Sequence, residues 1–140
     1  MKYYFFEPEV AGELGQNTVI DSTVYPPTVH RLHYEFSGWL GDALVESFPC
    51  IISTEDAAEA LRKSSVSGVS YSDVEISKSS EFREMYPDRD LPKFVWLKIS
   101  GEAGGDDFGM ADDHRLVISE TALDVLRKFG VGNAIAEEFF

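Results

Sequence analysis

The strongest constraint on this chain is a pattern that occurs twice. Phe48–Gly68, FPCIISTEDAAEALRKSSVSG, reads as a short apolar strand, a polar cap, a compact helix with a basic last turn, and a glycine exit. Arg115–Gly130, RLVISETALDVLRKFG, repeats that grammar near the end. Ile52-Ser53 aligns with Ile118-Ser119, and Ala60-Leu61-Arg62-Lys63 aligns with Val125-Leu126-Arg127-Lys128 once one residue is gapped. Ser53 is the expected N-cap of the first helix, with Asp56 at the capping-box position usually held by Glu or Gln, and Ser119 is the expected cap of the second. Arg62 and Lys63 suit the carbonyl end of the first helix dipole, and Gly130 suits the residue after the second helix. Two strand-to-helix units each need a sheet to cover, so the remaining segments should supply strands.

Those segments fit. Lys2–Phe6 is aromatic on both faces, as in a strand buried on both sides or a swapped edge. Thr18–Val24 can hold a short strand, stopped by Tyr25-Pro26-Pro27. Val29–Phe36 alternates, which places His30, Leu32, Tyr34 and Phe36 against the core and Arg31, His33 and Glu35 outward. Val69–Ser77 also alternates, but its phase slips near Ser72-Asp73, the mark of a bulge or turn. Pro92–Ser100 is apolar on both faces and belongs in the middle of a sheet. Ser79–Tyr86 reads as a short helix closed by Pro87. The expected fold is a single α+β domain over residues 1–140, with a mixed or antiparallel sheet, two principal helices and a candidate internal strand–helix repeat.

The chain carries 25 acidic and 12 basic side chains, a formal charge of −13. Nucleic acid and anionic membranes are both densely negative, so this balance opposes binding to either and favours a basic protein partner. The plainer role of such charge is to keep a cytoplasmic protein soluble. No apolar run reaches membrane-spanning length. The aromatic start is interrupted by Glu7-Pro8 and is too short for a signal peptide. A single cysteine, Cys50, leaves no internal disulfide and fits a reducing cytoplasm. The terminal Phe139-Phe140 must dock, lie exposed or meet a second subunit, which leaves a homodimer open.

Candidate sites cluster in two places. Gly101–Asp113 is a glycine-rich acidic connection in which Asp106, Asp107, Asp112 and Asp113 precede His114. Carboxylates beside an imidazole can hold a divalent cation, but this spacing fits neither an EF-hand nor a zinc site, and a solvated acidic loop is the plainer reading. Its glycines sit among acids that repel phosphate, so no cofactor is expected. Ser37–Asp42 sets Trp39 between two glycines, with Asp42 closing the turn. Trp39 there is either folded onto the sheet or offered as an interface anchor. His30 and His33 lie on opposite faces of one strand, and Cys50 lies in an apolar run, where a thiol is usually a small buried hydrophobe.

Ile51-Ile52-Ser53 followed by Ala60-Leu61 and Gly68, and preceded by Trp39-Leu40-Gly41-Asp42 and Phe48-Pro49, resembles a segment of bacterial polymorphic-toxin immunity proteins. The likeness covers mainly Trp39–Gly68, with a fainter echo in Leu116–Gly130. It implies a small acidic α+β antidote that binds and blocks a cognate toxin without catalysis. The expectation is therefore a protein-binding module whose partner-contacting residues are Trp39, Asp42, Asp106, Asp107, Asp112 and Asp113, with no metal or cofactor. The alternative is a small metal-dependent hydrolase using His114 and the Asp106–Asp113 carboxylates.

Overall fold

The computed structural model describes residues 1–139. In chain order it runs β1 (Tyr3–Glu7), β2 (Gly12–Leu14), β3 (Val19–Asp21), β4 (Thr28–Arg31), β5 (His33–Phe36), β6 (Leu44–Ser47), β7 (Cys50–Thr54), α1 (Glu55–Lys63), β8 (Val69–Ser72) and β9 (Glu75–Lys78). There follow α2 (Ser80–Met85), β10 (Phe94–Ile99), β11 (Phe108–Met110), β12 (Leu116–Ser119), α3 (Glu120–Arg127) and β13 (Ile135–Phe139). The class is α+β, with strands predominating.

The strands divide among four sheets rather than gathering in one. Two are antiparallel and four-stranded, in the orders β11-β12-β1-β13 and β6-β7-β10-β8. A third, β2-β5-β9, is mixed, because β5 and β9 run parallel, and β3 pairs with β4 alone. β10 is central in its sheet, as two apolar faces require. Leu97 enters a core with Phe6, Leu44, Phe108 and the inner faces of α1 and α3, while Phe94 and Trp96 enter a second core with Tyr34, Phe36 and Phe82.

The repeat survives in a different register. Thr54, not Ser53, stands at the start of α1, and Ser53 is buried inside β7 with its hydroxyl donating to the Thr54 carbonyl. Thr54 therefore corresponds to Ser119, and the two helices run in step from Glu55 and Glu120 to Leu61 and Leu126 without a gap. Ser65 and Gly130, at matching places after the helices, both have positive φ. Sheet pairing agrees: Thr54 lies opposite Phe94 and Ser119 opposite Tyr3, while Ser72 lies opposite Trp96 and Glu137 opposite Phe5. The matching holds from one strand, through the helix, into the next. The units occupy separate sheets, and the central strand of the second comes from the opposite end of the chain, as β1.

Only one of the two helix starts has a side-chain cap. The Ser119 hydroxyl accepts from the Ala122 amide at 3.1 Å and donates to Asp107 at 2.6 Å, whereas Thr54 makes no capping bond. Ser119→Ala should cost about 1 kcal/mol or somewhat more of unfolding free energy, and Thr54→Ala close to none. Equal losses in urea unfolding would contradict that asymmetry.

Two other expectations need correction. The strand drawn over Val29–Phe36 breaks at Leu32 into β4 and β5, and His33 rather than His30 is the buried histidine. β5 lies between β2 and β9, so consecutive residues Leu32, His33 and Tyr34 are all covered and alternation no longer reports the core side. The phase slip after Ser72 is where the chain leaves one sheet, at β8, for another, at β9. Of the two terminal phenylalanines, Phe139 packs edge-on against Phe5 at 5.1 Å, and Phe140 lies outside the described residues.

Candidate functional site

The acidic connection is not one cluster. β11 runs through its middle, so Asp106-Asp107 and Asp112-Asp113-His114 sit at opposite ends of a three-residue strand, about 10 Å of backbone. Asp106 accepts the Glu102 amide at 2.8 Å. Asp107 accepts the Ser67 amide at 2.8 Å and the Ser119 hydroxyl. Asp113 grips Arg115 at 2.7 Å, which holds its carboxyl below the usual range, and Asp112 is exposed. The His114 ring meets Tyr25 edge-on at 5.3 Å. Among the described residues no three His, Cys, Asp or Glu side chains converge on a common point.

Trp39 and Asp42 belong to one hydrogen-bonded turn. The indole N–H donates to the Asp42 carbonyl at 3.0 Å, and the ring packs edge-on against Phe94 under the Arg89 guanidinium. Asp42 is buried and accepts both the amide and the side-chain N–H of Asn133, at 2.9 and 2.8 Å. The buried Glu9 carboxylate accepts the Leu40 and Asp42 amides from the other side. The residue this turn turns outward is Leu40, which is 71% exposed.

The apolar surface that the fold does cluster in solvent lies elsewhere. Three connections meet there: the turn between β6 and β7, which carries Phe48; the segment between β3 and β4, which carries Tyr25; and the link from β11 to β12, which carries His114. Tyr25 is 75% and Phe48 45% exposed, with ring centroids 6.3 Å apart. Phe48 forms a ridge between two clefts. On one side an apolar cleft of about 400 Å³ is lined by Pro26, Pro27, Pro49, Trp96 and Met110. On the other, a cleft of about 280 Å³ runs between β1 and β6 and is lined by Phe5, Glu7, Val10, Glu46 and Arg115.

No protein-family model, curated protein or solved structure matches this chain. The site is therefore built from its own groups. Glu46 is half-buried in the second cleft, and burial, reinforced by the nearby Glu7 carboxylate, pushes its carboxyl above the ordinary glutamate value. A raised native value means the folded state binds its proton more readily than the unfolded state. Stability from this group is therefore present at low pH and is lost as pH rises through the interval between the two values. Glu46→Gln should melt above wild type at about pH 7 and near it at about pH 4. The same Tm difference at both would show that Glu46 carries no such penalty.

One further cluster has catalytic residue types. His33 Nε2 lies 2.7 Å from the Ser77 hydroxyl, but Nδ1 accepts the Asn17 amide, which leaves the ring proton on Nε2. The imidazole then donates to Ser77 and cannot take its proton, and Glu75 stands on the Nε2 side rather than behind Nδ1. The arrangement ties β5 to β9. Cys50 is buried, and its thiol is pushed up to about 12, so it is no nucleophile near neutral pH.

Sequence reasoning passed over Phe48, Tyr25, Glu7 and Glu46. A signal was present: both aromatic residues directly precede proline in turns, where periodicity assigns them to neither face.

Proposed function

We propose that the chain is a non-enzymatic binding module of the cytoplasm that captures a basic protein on the Phe48 surface, most concretely as an immunity-like inhibitor of a toxin domain. The observation that carries this reading is the exposed Phe48, packed beside Tyr25 and bordered by a cleft on each side, set in a chain of formal charge −13. Half-exposed aromatic residues beside pockets are what tight interfaces use as anchors. Net negative charge steers a basic partner toward them and disfavours nucleic acid and anionic membranes. Among the described residues, no helix is long and apolar enough to cross a membrane. The likeness of Trp39–Gly68 to immunity proteins supports the narrower, inhibitory reading.

The test starts from tagged chain purified from its native cells. A retained protein, identified by mass spectrometry and remade, should be basic and should associate more slowly as salt rises. It should arrest growth when expressed alone and cease to do so with this chain beside it. Retention of no protein, or an association rate indifferent to salt, would overturn the binding reading. A retained protein that is harmless alone would overturn the inhibitory part.

A further inference from the structure

The cleft between β1 and β6 has a charge balance that its own residues leave incomplete. The groups facing it are Glu7 from β1, Glu46 from β6, and Asp113, His114 and Arg115 from the link between β11 and β12. On the β5 side, the Tyr34 hydroxyl donates to the Glu46 backbone carbonyl and leaves the carboxylate alone. Asp113 and Arg115 neutralise each other at 2.7 Å. Glu7 and Glu46 form no ion pair among the described residues. Two carboxylates thus share a concave space that is also lined by the aromatic rings of Phe5 and Phe48.

That combination selects its occupant. A cation placed between the carboxylates relieves their mutual repulsion and offsets the cost of the partial burial of Glu46. Aromatic walls favour a planar, weakly hydrated guanidinium over a compact, strongly hydrated ammonium. The cleft already shows this preference: the Arg115 guanidinium lies over the Phe5 ring at 3.7 Å while its edge holds Asp113. Phe48 lines the same cleft, and among the described residues no cation lies over its ring.

We infer that the cleft between Glu7, Glu46 and Phe48 receives an arginine side chain of the protein partner, with the guanidinium bridging the two carboxylates and the stem lying along the Phe48 ring. The inference rests on the binding-module reading and names the chemistry that the partner must present. The apolar cleft across the ridge would then take an aliphatic neighbour of that arginine.

Solution NMR of the full chain tests this without the natural partner, using N-acetyl-arginine amide as probe, with the citrulline and lysine analogues beside it. The arginine probe should shift the Glu7 and Glu46 carboxyl carbons and the Phe48 ring saturably, and it should lower the pH at which Glu46 titrates. The uncharged citrulline analogue should bind about tenfold more weakly or worse, as should the arginine probe on Glu46→Gln. On that variant the arginine and citrulline probes should become nearly alike, with amide spectra away from the cleft unchanged. Equal binding of arginine and citrulline to wild type would overturn the inference. So would shifts spread over the acidic surface without saturation, or a lysine probe as tight as arginine. If the arginine probe fails while a captured protein still depends on Phe48, the arginine cleft is wrong and the binding module stands. If it succeeds and no protein is retained, the binding-module reading is what falls.

Discussion

Gly68→Ala will lose about 3 kcal/mol or more of stability, a fall in Tm of roughly 10 °C, because the residue pays twice for a side chain. Its backbone sits at φ +82°, where a Cβ costs about 1–2 kcal/mol. A Cβ built there also overlaps the Phe108 carbonyl oxygen and closes on Gly101. The crowding is backbone against backbone, so no rotamer change relieves it. At this point the two four-stranded sheets are stitched together. The Gly68 carbonyl accepts the Ser100 and Gly101 amides, and the adjacent Ser67 carbonyl accepts the Phe108 amide at 3.0 Å. Gly130→Ala is the control, since its φ is +97° but nothing lies within 4 Å of the added carbon. It should lose only the conformational part. Equal losses in the two variants would mean that the junction at Gly68 yields more easily than its geometry indicates.

The junction illustrates what the sequence could and could not convey. That Gly68 ended a strand–helix unit was legible from local grammar, but that it touched Gly101 and Phe108 was not, because those contacts join distant segments. The repeat was legible in outline and misplaced by one residue. Matching Ile52-Ser53 to Ile118-Ser119 rewarded residue identity, whereas the sheet register is set by backbone pairing of Thr54 with Phe94 and of Ser119 with Tyr3. An interior place for β1 was legible in its aromatic residues on both faces, but that it joins the second unit was not, because that pairing links opposite ends of the chain. The strand containing Phe94 and Trp96 was read well, since burial on both faces leaves a continuous apolar run. Charge and residue type mark Trp39, Asp42 and the Asp106–Asp113 carboxylates as interface candidates. Tertiary packing then gave most of them internal hydrogen-bond partners: Asn133 for Asp42, Ser67 and Ser119 for Asp107, Arg115 for Asp113. Charge density alone carries no information about such partners.

The last expected result separates folding from recognition at two aromatic residues. Phe48→Ala removes a ring that is nearly half in water, so the free chain should lose only about 1 kcal/mol. In the proposed complex the same truncation would merge the two clefts and remove the wall on which both partner side chains are proposed to rest. The complex should weaken by about 2 kcal/mol or more, roughly thirtyfold in Kd, and chiefly through faster dissociation. Trp39→Ala should behave oppositely. Its ring packs against Phe36 and Phe94, Arg89 lies over it, and its N–H holds the turn closed, so the loss should appear in Tm. Neutralising Asp106 and Asp112 to asparagine should act on neither ring and mainly slow association, more so at low salt, whereas Asp107 and Asp113 stay in place because they hold Ser119 and Arg115. If Phe48→Ala dissociates like wild type while a folded Trp39→Ala loses the partner, the anchor is the tryptophan turn, and the ridge between the clefts is only surface.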